Sequence, residues 1–258
     1  MSTRWGGFLE QINDFDADFL SISPREAKAM DPQQRLILEL AREVLERASI
    51  PASELSGTST GVFIGAMWAD YGFVSPSLDS IVQHTATGRD SGVIANRVSY
   101  SMGLMGPSLT VNTACSSSLV AVHSACQSLR RGESTYAIAG GVNLMLTPDS
   151  SVAMTKFGAM SPDGRSKAFD VRADGYVRGE GAALVLLKPL PQALADGDRV
   201  FALLFCSAIN NDGPSNGLTA PNPAAQRAVL GDACFDAKVD PQNIDYVEAH
   251  AKVLPRRF

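Results

Sequence analysis

A stretch of the chain without any charged residue, at 116–129, sets the first requirement on the fold. The stretch is rich in Ala, Ser, Val and Leu, a composition typical of a buried helix. A surface helix of this length normally has one polar face, so this helix is expected to be covered on all sides. A domain of two layers would leave part of it exposed. The sequence therefore predicts a third or central layer of structure around it.

Hydrophobic patterns predict that strands and helices alternate along the chain. Short apolar runs predict strands, and capping signals followed by apolar residues three and four apart predict helices. Strands are expected at 61–65, 109–112, 136–143, 182–187, 200–209 and 244–247. Helices are expected to begin at Ser23 and Asp31, to include 96–100 and 116–131, and to span 223–237. Such alternation is typical of an α/β fold with a largely parallel sheet.

Composition excludes several classes of protein. The chain has 258 residues, 45% of them hydrophobic, and a net charge of −5. These values argue against intrinsic disorder and against a nucleic-acid-binding protein. No run of about 18 apolar residues predicts a membrane span, and no secretory signal is visible. The four cysteines have neither zinc-site spacing nor the number needed for a disulfide scaffold, which indicates a reduced, cytoplasmic compartment.

Cys115 is the candidate nucleophile, since it lies where a predicted strand meets a predicted helix. The unpaired N–H groups and the positive end of the helix dipole at such a junction favour a thiolate and can hold an oxyanion. The alternative is that Cys115 is a small buried core residue, which is the commoner role of a free cysteine. Position alone leaves both interpretations open. Cys126, Cys206 and Cys234 are expected to be core residues.

His250 is the second candidate, at the end of the last predicted strand. Loops that follow strands often carry catalytic side chains, although a lone His is more often structural or solvated. The Gly-rich pieces at 140–141 and 179–181 lack the strand–loop–helix order of a phosphate cradle. They are expected to be tight turns or places of close backbone packing. No metal site is predicted.

Several motifs in order along the chain resemble those of β-ketoacyl synthase (ketosynthase) domains of modular type I polyketide synthases and related fatty acid synthases. The active-site segment is TACSSS at 113–118. The other motifs are ISPREA at 22–27, MDPQQRL at 30–36, NRVSY at 96–100, SPDGRSKAFD at 161–170, YVRGEG at 176–181, NGLTAPN at 216–222 and VEAH at 247–250. The resemblance runs from about Gly6 to His250.

The resemblance implies a thiolase-like fold with αβαβα layers, in which the helix after the nucleophile lies in the central layer. It also implies a homodimer. Cys115 would accept an acyl group from a phosphopantetheine thioester, and a malonyl-type extender on an acyl carrier protein would then undergo decarboxylative Claisen condensation. His250 matches the first of the family's two histidines. The phosphopantetheine belongs to the carrier protein, so no cofactor bound by this chain is expected.

The last eight residues depart from the family. After VEAH the family continues with a GTGT loop, whereas residues 251–258 of this chain are basic and unlike it. This difference predicts a ketosynthase N-terminal region over 1–250 and a non-family tail over 251–258, with most of the C-terminal half absent. A truncated chain of this kind is expected to be impaired in condensation. Two alternatives remain, an inactive fragment that serves only as a dimerisation or interaction module, and a thioester hydrolase that keeps acylation alone.

Overall fold

The computed structural model describes residues 3–74 and 77–250 and divides the chain into two compact units. One unit contains the described residues up to Lys188 together with His250, and the other runs from Pro189 to Ala249. The tail predicted over 251–258 lies outside the described residues. The single ketosynthase region over 1–250 stays a prediction.

The first unit contains four strands and eight α-helices in the part of the chain that is described. The strands are β1 (Gly61–Ala66), β2 (Ser108–Val111), β3 (Ala137–Asn143) and β4 (Gly181–Leu187). The helices are α1 (Pro24–Ala29), α2 (Pro32–Arg47), α3 (Ala52–Leu55), α4 (Tyr71–Val74), α5 (Thr85–Arg89), α6 (Val93–Met102), α7 (Ser117–Arg130) and α8 (Pro148–Lys156). The predicted strands and helices of this unit are confirmed within one to three residues at most of their ends.

The four strands form one sheet in the order β2-β1-β3-β4. Strand β1 is parallel to both of its neighbours, and β4 is antiparallel to β3. The largely parallel sheet predicted from the alternation is therefore confirmed, with an antiparallel strand at one edge. Since β1 and β2 are parallel and adjacent, the loops that leave their carboxyl ends meet at one edge of the sheet.

Helices cover both faces of this sheet, as the alternating side chains of β1 show. Val62 and Ile64 contribute to the larger core cluster, which includes residues of α2 and α6. Phe63 points to the other face and packs with Ala121 and Ala125 of α7. Buried apolar side chains on both faces supply most of the driving force for this packing.

Helix α2 shows how local signals fix an element. Asp31 caps it by accepting a hydrogen bond from the backbone N–H of Gln33 at 2.8 Å, which satisfies one of the unpaired donors of the first turn. Ile37, Ala41 and Leu45 form its buried stripe. Burial raises the pKa of the Asp31 carboxyl, although the bonds from Gln33 oppose that effect.

Helix α7 packs against the sheet through only one of its faces. Ala121 and Ala125 are fully buried there, whereas Leu119 is 74% exposed. The covering that the uncharged sequence predicts for the opposite face is therefore not supplied within the first unit.

The second unit differs from the sequence prediction. It contains α9 (Leu190–Ala195), α10 (Pro223–Ala237) and a 3₁₀ turn at Pro241–Asn243. The prediction of α10 is confirmed, but the strands predicted at 200–209 and 244–247 are wrong for the described residues. Those segments have no strand partner, and Phe201 and Tyr246 are 79% and 76% exposed. Nowhere in the described ranges is a helix both long and apolar enough to cross a membrane.

Candidate active site

Cys115 lies in the short turn between β2 and α7, as the sequence predicts. The strand ends at Val111, and the helix begins at Ser117 with Ser116 as its N-cap. Cys115 is exposed, whereas the other three cysteines are half-buried. Burial also raises the pKa of the Cys126 thiol, although the charge of Arg130 opposes this. Cys115 is thus the cysteine most open to a reagent.

The residue before Cys115 has a backbone conformation that alanine rarely adopts. Ala114 has φ +57°, in the left-handed region, where a residue with a Cβ is disfavoured by about 1–2 kcal/mol. The Ala114 N–H donates to Asn112 Oδ1 at 3.0 Å, and Ser117 Oγ donates to the Ala114 carbonyl at 2.6 Å. These bonds hold the turn in a conformation that no feature of the sequence predicts.

The serines after Cys115 connect the turn to the start of α7. Ser116 Oγ donates to the Thr113 carbonyl at 2.9 Å, and the Thr113 N–H donates to Ser117 Oγ at 2.9 Å. The side chain of Ser116 makes no capping bond to the first turn of α7. Because the unpaired N–H groups and the dipole of a helix N-terminus attract negative charge, the environment of Cys115 is suited to an anionic group.

Two glycines let α7 begin close to the sheet. A Cβ on Gly65 of β1 would lie 2.5 Å from the Ser117 carbonyl carbon and 2.7 Å from Ser118 Cα, and a Cβ on Gly141 of β3 would lie 2.7 Å from Ser118 Cβ. Such distances are shorter than the usual separation of non-bonded carbon atoms, which is about 3.5–4.0 Å. The prediction that 140–141 is a place of close backbone packing is confirmed at Gly141.

Tyr176 interacts electrostatically with Arg178 and Cys115. Burial raises the pKa of the Tyr176 phenol, the nearby guanidinium of Arg178 lowers it, and the charge of Cys115 raises it further. Neither Tyr176 nor Arg178 was identified as a site residue from chemistry in the sequence. The only signal for them was the YVRGEG motif at 176–181.

Arg178 is a buried cation beside this region. It is 5% exposed, and burial lowers the pKa of its guanidinium. Its Nη1 donates to Ser150 Oγ and Ser151 Oγ, both at 2.8 Å, and its guanidinium carbon is 5.4 Å from the centroid of the Trp68 ring. Its Nη2 has no hydrogen-bond partner among the described residues. These contacts fix α8 and the loop after β1 against the same segment that carries Tyr176.

His250 is exposed at the end of the described chain and is not part of a strand. Among the residues that the structure describes, no hydrogen bond joins it to Cys115. The pairing of these two residues in one site stays a prediction. In the same described ranges, no three His, Cys, Asp or Glu side chains are placed to hold a metal ion.

Two family sequence models match this chain. The model described as "Beta-ketoacyl synthase, N-terminal domain" matches residues 1–193, and the model described as "Beta-ketoacyl synthase, C-terminal domain" matches residues 201–255. The change from one to the other falls close to residue 188, where the structure divides the chain.

Curated relatives include components of a mycobacterial polyketide synthase. Two subunits of the phenolphthiocerol/phthiocerol polyketide synthase of Mycobacterium tuberculosis are similar to the chain, one 54% identical over 250 residues and another 51% identical over 251 residues. These alignments cover 96% and 97% of this chain but only 13% and 16% of the relatives. The chain therefore spans about a sixth or less of the length of these relatives.

Solved structures with the same fold are ketosynthases. The ketosynthase from module 6 of the bacillaene synthase of Bacillus subtilis 168 superposes with a TM-score of 0.88 at 39% identity, over 95% of this chain and 42% of that one. The oxazolomycin ketosynthase domain OzmH KS7 of Streptomyces albus JA3453 gives 0.91 at 40% identity, over 96% and 44%. These likenesses confirm the thiolase-like α/β fold.

Proposed function

Since the chain belongs to the β-ketoacyl synthase family, whose polyketide synthase members are condensing enzymes, we propose that Cys115 is its acyl-accepting nucleophile. The observation that carries the proposal is the position of Cys115, which is exposed at the N-terminus of a helix whose first turn has no side-chain cap. A thiol at such a position has donors beside it for the negative charge that develops during attack on a thioester.

The proposed acyl transfer exchanges one thioester for another. The Cys115 sulfur, after losing its proton, attacks the thioester carbonyl and forms a tetrahedral oxyanion. The bond between this carbon and the pantetheine sulfur then breaks, and the released thiolate takes a proton. The acyl group ends on Cys115.

The proposed second half-reaction uses a malonyl-type extender on an acyl carrier protein. Loss of carbon dioxide leaves an enolate, whose carbon attacks the Cys115 thioester and frees the cysteine again. His250 would stabilise this enolate by donating a hydrogen bond. The phosphopantetheine arm would come from the carrier protein. The homodimer and the cytoplasmic setting implied by the resemblance belong to this same proposal.

Acylation of Cys115 is the first test. The 258-residue protein is mixed with an acyl-N-acetylcysteamine thioester, digested and examined by mass spectrometry. We expect the acyl mass on the peptide that contains Cys115, no such mass in C115A, and unchanged acylation in the matched variant C126A. A folded wild-type protein that gains no acyl mass at Cys115 would contradict the proposal.

Condensation is a separate expectation. The chain has three histidines, His84, His123 and His250, and only His250 lies in a motif that resembles one of the family's two histidine segments. We therefore expect the acylated 258-residue polypeptide to form little β-ketoacyl product when malonyl-loaded carrier protein is added. Product formation at the rate of acylation would contradict this expectation, and release of the free acid would indicate a hydrolase.

An interaction module is the second candidate, and exposed apolar groups near strand β2 favour it. Tyr100 of α6 is 89% exposed, and Leu109 of β2 and Met105 before it are also exposed. Because β2 is at the edge of the sheet, it can pair with another chain. A folded dimer without acylation of Cys115 would favour this candidate over the enzyme.

A further inference from the structure

We propose that Asn112 is a positioning residue for Cys115, an inference that rests on the proposed function of this cysteine. Asn112 follows the last residue of β2 and precedes Cys115 by three residues. Its side chain makes two hydrogen bonds, one within the turn and one to the neighbouring strand's loop. Together they join the turn that carries the proposed nucleophile to the end of β1, an inner strand of the sheet.

The first bond acts on the conformation of the turn. Asn112 Oδ1 accepts the N–H of Ala114 at 3.0 Å, which closes an Asx-turn. Ala114 is the residue with φ +57°, a conformation that alanine leaves when nothing holds it. If Ala114 relaxed, the next residue, Cys115, would change direction relative to the first turn of α7.

The second bond fixes the turn to the sheet. Asn112 Nδ2 donates to the carbonyl of Met67 at 3.3 Å, and Met67 follows directly after β1. Gly65 pairs with Val111 in the register of these two strands. The bond therefore adds a hydrogen bond between the two strand ends, beyond the last paired residues of β1 and β2 and next to the turn.

Loss of these two bonds should affect two reactions of the Cys115 thiol, alkylation and acyl transfer, to different extents. Alkylation of a thiol by iodoacetamide requires only that the sulfur be accessible. Acyl transfer also requires that the developing oxyanion reach fixed donors, and a displacement of about 1 Å from such an arrangement can cost about 100-fold in rate. Loss of positioning should therefore slow acylation more than alkylation, whereas loss of folding should expose all four cysteines to alkylation.

The test compares these two rates at Cys115 in the wild-type protein and in variants of Asn112. N112A removes both bonds, and we expect acylation by an acyl-N-acetylcysteamine thioester to fall at least about tenfold while alkylation changes less than about threefold. N112S keeps an acceptor for the Ala114 N–H, as serine forms the same turn more weakly, and should retain an intermediate acylation rate. N112A/A114G should recover part of the loss, because glycine adopts a positive φ without strain.

Asn222 supplies the matched control, since its side chain makes the same two kinds of bond in the second unit. Its Oδ1 accepts from the N–H of Ala224 at 3.0 Å, and its Nδ2 donates to the carbonyl of Asp212 at 2.8 Å. N222A should leave the ratio of acylation to alkylation at Cys115 unchanged. An equal change in N222A and N112A would overturn a specific role for Asn112.

The remaining outcomes separate the two proposals. Acylation at the same rate in wild type and N112A overturns the role of Asn112 and leaves Cys115 as the nucleophile. No acylation in the folded wild-type protein overturns both. If N112A does not fold, as judged by circular dichroism, the comparison is made with N112S, and an acylation rate equal to that of wild type then counts against the proposal.

Discussion

Replacement of Gly65 by alanine tests whether the close approach of α7 to the sheet sets the position of Cys115. Gly65 lies in β1, and the added Cβ would be 2.5 Å from the Ser117 carbonyl carbon and 2.7 Å from Ser118 Cα. Both atoms belong to the backbone of the helix, so no change of rotamer relieves the overlap. The start of α7 has to move away from the sheet.

The size of the effect follows from these distances. Relaxed carbon atoms are about 3.5 Å apart, so the overlap corresponds to a displacement of about 1 Å at the N-terminus of α7. Overpacking of this kind costs about 1–3 kcal/mol of unfolding free energy. Because Cys115 is two residues before the helix, its sulfur moves with it, and we expect acylation to slow by about 10- to 100-fold.

Urea unfolding and the rate of Cys115 acylation measure the two effects in the same protein. Gly181, in β4 of the same sheet, is the matched control, since nothing lies within 4 Å of the Cβ that it would gain. G181A should raise the unfolding free energy by about 0.5–1 kcal/mol without slowing acylation. If G65A behaved like G181A in both measurements, the close packing of α7 would not be what places Cys115.

Two further predictions concern the stability of the first unit. The hydrogen bond from Lys167 lowers the pKa of the Asp174 carboxyl below its usual 3.8, so this bond stabilises the fold above pH 3.8, and its stabilisation is lost as the pH falls through the lowered pKa. The unfolding free energies of K167M and wild type, measured by urea titration, should therefore converge as the pH falls from 7 to 2. A difference between them that widens in acid would contradict this. Arg97 is almost fully buried and donates to Glu26 at 2.6 Å, so R97A should cost about 3 kcal/mol in urea unfolding. R42A, which breaks an exposed pair, should cost less than about 1 kcal/mol, and equal losses in the two variants would refute the role of burial.

Elements with strong local signals could be predicted from the sequence. Helix α2 has a capping aspartate, a proline in its first turn and a periodic apolar stripe, and all three act within the helix itself. Strand β1 is a short apolar run in which every residue is buried. In both cases the local preference and the tertiary environment agree.

The strands predicted at 200–209 and 244–247 show where this reasoning fails. An apolar run indicates that residues favour burial, but a strand also requires a second segment that pairs with its backbone groups. Phe201 and Tyr246 lie in segments without such a partner among the described residues. The pattern identified the preference of the side chains and contained no information about pairing.

The turn at Cys115 was predictable in position but not in geometry. The order of strand, cysteine and uncharged helix located the thiol at a helix N-terminus, where backbone donors are unpaired. The left-handed conformation of Ala114 could not be predicted, because alanine has no preference for it and the bonds that hold it come from Asn112 and Ser117. Gly65 and Gly141 are far apart in sequence, and only the pairing of β1 with β3 places both beneath Ser118. We therefore expect the reactivity of Cys115 to depend on contacts between segments that are distant in sequence, so substitutions beneath and before this cysteine are sharper tests of the proposal than substitution of the cysteine alone.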